Sequence, residues 1–300
     1  MEYRIITDGC CDLDPETVKR YDLHVIPFYI SFDEENYFLE NHEITLDEIY
    51  ERMVKNPDVY PKTSLPSIQN YIDEFEPYVS GGIPLIYIAF NSIMSGAYNC
   101  ACNARDMILE DHPEAKLTVI DSCAVTVTQG LLVLEALKAQ QSGASYEECI
   151  DLIDRMKMTN RIFYTVGDVE YLKHGGRIGK LAGMAATTLS LKPLITVDKG
   201  EILPSGIGRS RKKTLNKTFV LLEEYFKNNG DSLDDYAFCV GYGYDLEEAK
   251  QYLEKAGDFL EARSNIKRED ILSLRIGPAV SIHNGPYALG IGCIKRYDRI

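Results

Sequence analysis

PLIYIAFNSIMSGAYNCACNARDMILEDHPEAKLTVID, residues 84–121, decides the fold. The apolar run IPLIYIAF (83–90) breaks at 91–96, a small-residue helical pattern follows, and a second apolar run, LTVID (117–121), closes the segment. Buried strand, helix, buried strand is a βαβ unit, in which the crossover makes the strands parallel. Outward from it, YRIIT (3–7) is a further strand, and Asp14 with Pro15 marks the start of the helix after it. HVIPFYISFDEENYFLE (24–40) reads as a hairpin turning near 33–36. Thr45 with Glu48, and Ser145 with Glu148, have the spacing of capping boxes that open two more helices. This alternation predicts an α/β fold whose N-terminal domain, residues 1–165, carries a Rossmann-like, largely parallel sheet.

Past residue 160 the pattern changes. RIFYTVGD, KPLITVDKGEILPSG, YAFCVGYGY and PAVSIHNGPYALGIGCIKR read as strands with glycine turns and fewer helices between them. A second, α+β domain with a mixed or antiparallel sheet is expected over 166–300. The boundary falls near Val166, and a ligand crevice is expected between the two domains.

Charge narrows the function classes. The net charge of −14 opposes nucleic acid and anionic membranes, because any approach to them begins in a repulsive field. No uncharged apolar segment reaches 18 residues, so no stable membrane insertion is expected, and the acidic start MEYRIITD lacks signal-peptide character. A cytoplasmic protein is the expectation. The eight cysteines lack paired CxxC spacing and the five histidines lack HExxH spacing, which predicts no metal site.

Glycine-rich stretches invite a nucleotide reading, but the spacing fails. In HGGRIGKL (174–181) three residues separate Gly175 from Gly179 and Leu181 follows Lys180, where a P-loop needs four and then Ser or Thr. GYGYDL and GIGCIK lack the third glycine of a dinucleotide fingerprint. No nucleotide cofactor is expected. HGGRIG does present Arg177 at a sharp turn, where its fork suits a carboxylate or phosphate, an internal ion pair being the alternative.

Ser95 stands at the turn from strand to helix. A nucleophile elbow would need glycine at 93 and 97, where Ile93 and Ala97 stand. The same geometry serves anion capture by unpaired helix-start amides, with Ser95 capping and Gly96 allowing close approach, or a plain cap with no ligand. Thr63 and Ser64 of KTSLPS (62–67) repeat the pattern ahead of another helix. His283 in VSIHNGPYALG reads as a turn residue between two strand-like segments, free to offer a hydrogen bond or a proton. Residue reading therefore stops at hydroxyl, arginine and histidine candidates for binding an acid.

Taken in order, TDGCCDL (7–13), KTSLPS, NSIMSGAYNCA (91–101), VIDS (119–122), EYLKHGGRIGK (170–180), LKPLITVDKGEI (191–202) and IGPAVSIHNGPYALGI (276–291) resemble the DegV family of bacterial fatty-acid-binding proteins. The resemblance implies a two-domain α/β fold holding one long-chain fatty acid, palmitate-like, with its tail buried. It implies that Thr63 and Ser95 hold the carboxylate, that Gly96, Arg177 and His283 stand around the head group, and that the chain itself is not an enzyme. In members that work with a fatty acid kinase, the partner subunit carries the ATP site. Gly9, Ala97, Asn284 and Tyr287 depart from the family pattern of Ser, Thr, Thr and Gly. Two other classes remain as alternatives: a serine acyl hydrolase using Ser95 and His283, and a sensor of another small anion, favoured by Arg177 and the basic cluster Arg209, Arg211, Lys212 and Lys213.

Overall fold

The computed structural model describes residues 3–185 and 192–300. Along the first half run β1 (Arg4–Asp8), α1 (Pro15–Arg20), β2 (His24–Ile26), β3 (Tyr29–Ser31), β4 (Tyr37–Leu39), α2 (Leu46–Lys55), β5 (Lys62–Ser64), α3 (Ile68–Ser80), β6 (Leu85–Ala89), α4 (Ala97–Asp111), β7 (Leu117–Asp121), α5 (Val127–Gln141) and α6 (Tyr146–Met156). The quoted stretch is β6, α4 and β7, and β6 pairs with β7 in parallel. That sheet has the order β2-β1-β6-β7, every pair parallel. Each residue of β6 is buried, as helices on both faces require of a central parallel strand. Asp14 caps α1, and the capping boxes of α2 and α6 are present.

Of the stretch read as a hairpin over 24–40, only β3–β4 forms one; its start, His24–Ile26, is β2 of the parallel sheet, and β5 adds to the other side of β3, making a small antiparallel sheet β4-β3-β5. Thr63 is therefore a strand residue opposite Ile30, and Ser67 caps α3. The hydroxyls of KTSLPS divide between a strand and a cap.

The rest comprises β8 (Arg161–Thr165), α7 (Glu170–His174), α8 (Ala182–Ala185), β9 (Lys192–Asp198), β10 (Glu201–Gly208), α9 (Arg211–Asn229), β11 (Tyr236–Tyr242), α10 (Leu246–Glu261), β12 (Leu272–Arg275), α11 (Pro278–Asn284) and β13 (Leu289–Lys295). They build a six-stranded mixed sheet, β10-β9-β8-β13-β11-β12, antiparallel except for β11 with β12. It begins with β8, ahead of Val166. PAVSIHN was read as strand and is helix: Pro278, at the first helical position, opens α11, and the run ends at Gly285. His283 thus sits in the last helical turn rather than in a loop.

Helix α5 joins the two sheets. It is buried on nearly every side until its last turn, Thr128, Gln129 and Glu135 included. One side packs near β1, the other on β11 and β13. Close approach is allowed by Gly241 and Gly292, where a Cβ would come within 2.8 Å of Val127 and Thr128 respectively. The glycines of GYGYDL and GIGCIK therefore include packing sites for α5.

Candidate ligand-binding site

The crevice at the carboxyl end of β6 is shaped by Asn91. Its Oδ1 accepts from Ile93 N–H at 2.9 Å, its backbone carbonyl accepts from Met94 and Ser95 N–H, and its Nδ2 donates to Gly200 O at 2.7 Å. One buried amide thus folds the 92–95 turn and ties it to the β9–β10 hairpin. Ser95 Oγ accepts from Ala97 N–H at 3.2 Å, while Gly96 holds the cap position of α4 without a side-chain bond. Ser92 is bound to the Asp121 carboxylate through both its N–H and its hydroxyl.

Across the crevice, Thr63 Oγ1 and His283 Nε2 share a hydrogen bond of 2.9 Å. Burial, reinforced by the positive charges of Arg177 and Lys62, pushes the His283 pKa down to about 3, so the ring is neutral at physiological pH. Its Nδ1 is buried and unpartnered among the described residues. Arg177 donates through Nε to Met94 O at 3.1 Å and through Nη1 to Gly175 O at 2.7 Å. Burial lowers its pKa, and among the described residues no carboxylate lies within ion-pair distance of it. The internal ion pair considered for Arg177 is absent there. Lys62 stands close by, donating to His174 O at 3.1 Å.

Several of these groups border a crevice enclosing about 810 Å³ of space, part of it open to solvent. Thr63, Ser95, Arg177 and His283 all line it, as does Asn284, while Gly96 and Ser92 do not. The remaining wall is mainly apolar, with Ile162, Val197 and Leu289 from the six-stranded sheet, Val127 from α5, and Phe28 and Phe90 from segments just outside the strands of the first half. Of the IPLIYIAF run only Phe90 reaches the cavity. The small-residue helical pattern at 181–191, also a candidate lining, lies outside the described residues from 186 onward.

Chemically, the polar end is rich in donors and carries a guanidinium that has no carboxylate partner among the described residues. It suits an anion attached to an apolar body. Hydrolysis is poorly served: a catalytic histidine needs an orienting acid on its far nitrogen, and His283 Nδ1 has none among the described residues. The basic cluster lies away from the cavity wall, with Arg211 engaged by Glu248 at 2.6 Å. Among the described residues no group of three His, Cys, Asp or Glu is placed to hold a metal, and no helix is long and apolar enough to cross a membrane.

Sequence reading missed Asn91, which organises the turn, and Lys62, which adds charge. An Asn directly after a buried strand is a turn signal that could have singled out the first. The second had no local sign, since it acts through a residue 221 positions away.

The fold is thus an α/β one with two main sheets and a mainly apolar crevice bordered by hydroxyl, imidazole and guanidinium groups. The family model described as "Uncharacterised protein, DegV family" matches residues 2–296, and the chain belongs to the DegV family. A DegV domain-containing protein of Clostridium acetobutylicum is 30% identical over 96% of each chain. Among solved structures, a stearic acid-binding protein from Eubacterium ventriosum is 38% identical, with TM-score 0.92, covering 99% of this chain and 100% of that one. DegV of Bacillus subtilis, described as a fatty acid binding protein, is 26% identical with TM-score 0.79, covering 99% and 100%.

Proposed function

We propose that this chain binds one long-chain fatty acid between its N-terminal region, to residue 165, and its C-terminal region. The tail lies in the apolar cavity and the carboxylate is received by Thr63 and Ser95, with Arg177 and His283 beside it. The observation that carries this reading is the pairing, in one cavity, of apolar walls with a polar end whose guanidinium has no carboxylate partner among the described residues. The stearic acid-binding relative at 38% identity supports the ligand class.

The physics assigns separate roles to the two ends. Burying about fifteen methylenes contributes roughly 12 kcal/mol gross, before the costs of association and of ordering the chain. The head group is expensive to desolvate unless it is hydrogen-bonded, so the hydroxyls and charge fix orientation. Presentation of the carboxylate to a separate ATP-binding fatty acid kinase subunit belongs to the same proposal and rests on family resemblance. The eight free thiols support a reducing, cytoplasmic setting.

Thermal-shift measurements separate the readings. Stearate or palmitate is expected to raise the melting temperature and inorganic phosphate to leave it unchanged. Stabilisation by phosphate and not by lipid would favour the small-anion sensor instead.

A further inference from the structure

We propose that the cavity accepts an acyl chain bearing a hydroxyl or keto oxygen, and that Tyr164 is the residue that selects it. This rests on the fatty-acid reading above and goes beyond it, from the class of ligand to a feature of its tail. Tyr164 sits in β8 between Ile195 of β9 and Gly290 of β13, and it lines the cavity. The residue is only 7% exposed. Among the described residues its phenol oxygen has no hydrogen-bond partner.

That is unusual for this molecule, which otherwise pairs its buried phenols. Tyr50 donates to Ile276 O at 2.8 Å, Tyr87 to Asp8 Oδ2 at 2.8 Å, and Tyr236 to Asp231 Oδ2 at 2.7 Å. Tyr71 meets Tyr87, and Tyr252 meets Thr218. Tyr171 is the other exception, but its oxygen is enclosed by protein and it does not line the main cavity. Gly290 keeps the strand beside the tyrosine bare: a Cβ there would lie 2.3 Å from that of Tyr164.

A hydroxyl in an apolar wall is not needed for packing, which phenylalanine would supply equally well. Without a partner it costs free energy. Burial raises the phenol's pKa, so it remains a donor at any working pH. A plain polymethylene chain leaves that donor unsatisfied, whereas a chain oxygen at the right carbon accepts from it. Sites built to hydrogen-bond a substrate oxygen discriminate against analogues that lack it.

The test is displacement of a bound fluorescent fatty acid by stearate, 10-hydroxystearate, 12-hydroxystearate and 12-oxostearate, on the wild type and on Tyr164→Phe. At least one oxygenated acid is expected to bind roughly threefold to tenfold more tightly than stearate to the wild type. In Tyr164→Phe the ratio of oxygenated-acid affinity to stearate affinity is expected to fall to about one. Equal or weaker binding of all the oxygenated acids, or a preference that survives Tyr164→Phe, would overturn the proposal while leaving the fatty-acid reading intact. Failure of every acid, stearate included, would overturn both.

Discussion

Thr63 Oγ1 and His283 Nε2 lie 2.9 Å apart although 220 residues separate them in sequence. The contact joins the small β4-β3-β5 sheet to helix α11 at the polar end of the cavity. On the proposed reading, the fatty-acid carboxylate meets this pair together with Ser95. Thr63→Ala combined with Ser95→Ala is expected to weaken fatty-acid binding by roughly thirtyfold to 150-fold, at about 1 to 1.5 kcal/mol for each lost hydrogen bond. The melting temperature of the ligand-free protein should change little. Unchanged binding in a titration with stearate would remove both hydroxyls from the site.

Gly175 bears on the same pair from outside the cavity. A Cβ at this position would lie 2.2 Å from His283 Nδ1 and 3.0 Å from Tyr171 O. Gly175→Ala is therefore expected to push the imidazole out of register with Thr63 and to reduce fatty-acid affinity, roughly tenfold, in a chain that still folds. Wild-type affinity in this variant would mean that the ring position does not matter for binding.

His283 also gives the protein a pH signature. Its pKa is about 3 in the folded chain, against an ordinary 6.5, so the unfolded chain binds the extra proton between those values. Stability contributed by the neutral ring is thus fully present above about pH 6.5 and is lost as the pH falls toward 3. His283→Gln is expected to flatten this part of the stability profile. NMR of the ligand-free protein should find the imidazole neutral at pH 5, and a titration midpoint near 6.5 would contradict the burial argument.

Glu40 acts in the opposite sense. Fully buried, it accepts from Phe28 N–H at 2.8 Å and from Ala279 N–H at 3.3 Å, and burial, aided by the nearby Asp8, pushes its pKa up to about 7. The folded chain holds this proton more tightly than the unfolded one, whose carboxyl titrates near 4.5. Stability should therefore fall as the pH rises through this window, on the order of 3 kcal/mol at about 1.4 kcal/mol per unit. Glu40→Gln should remove that part of the decline in urea titrations at pH 5 and pH 7.5. Parallel pH profiles for the two proteins would exclude the effect.

How much of this was legible in the sequence depends on the range of the interactions. β6, α4 and β7 were readable because apolar runs and helical spacing are local, and the caps at Asp14, Thr45 and Ser145 declare themselves within four residues. The β9–β10 hairpin was readable for the same reason. Thr63 was misplaced because a three-residue strand has too little pattern to see and owes its existence to pairing with β3. His283 was misplaced because apolar and polar residues alternate in VSIHNG, while the stronger sign, Pro278 following a glycine, went unused. The contacts that gather Thr63, Ser95, Arg177 and His283 span both halves of the chain, and no local spacing encodes them. The resemblance named those residues, and the cavity geometry brings them together.

The central claim is that a long-chain fatty acid fills this cavity. It is tested most directly by denaturing the purified protein and analysing the organic extract by mass spectrometry, with the Thr63→Ala/Ser95→Ala variant in parallel. The account predicts about one equivalent of long-chain fatty acid from the wild type and much less from the variant. An extract without fatty acid, from a protein that also refuses added palmitate and stearate, would contradict it.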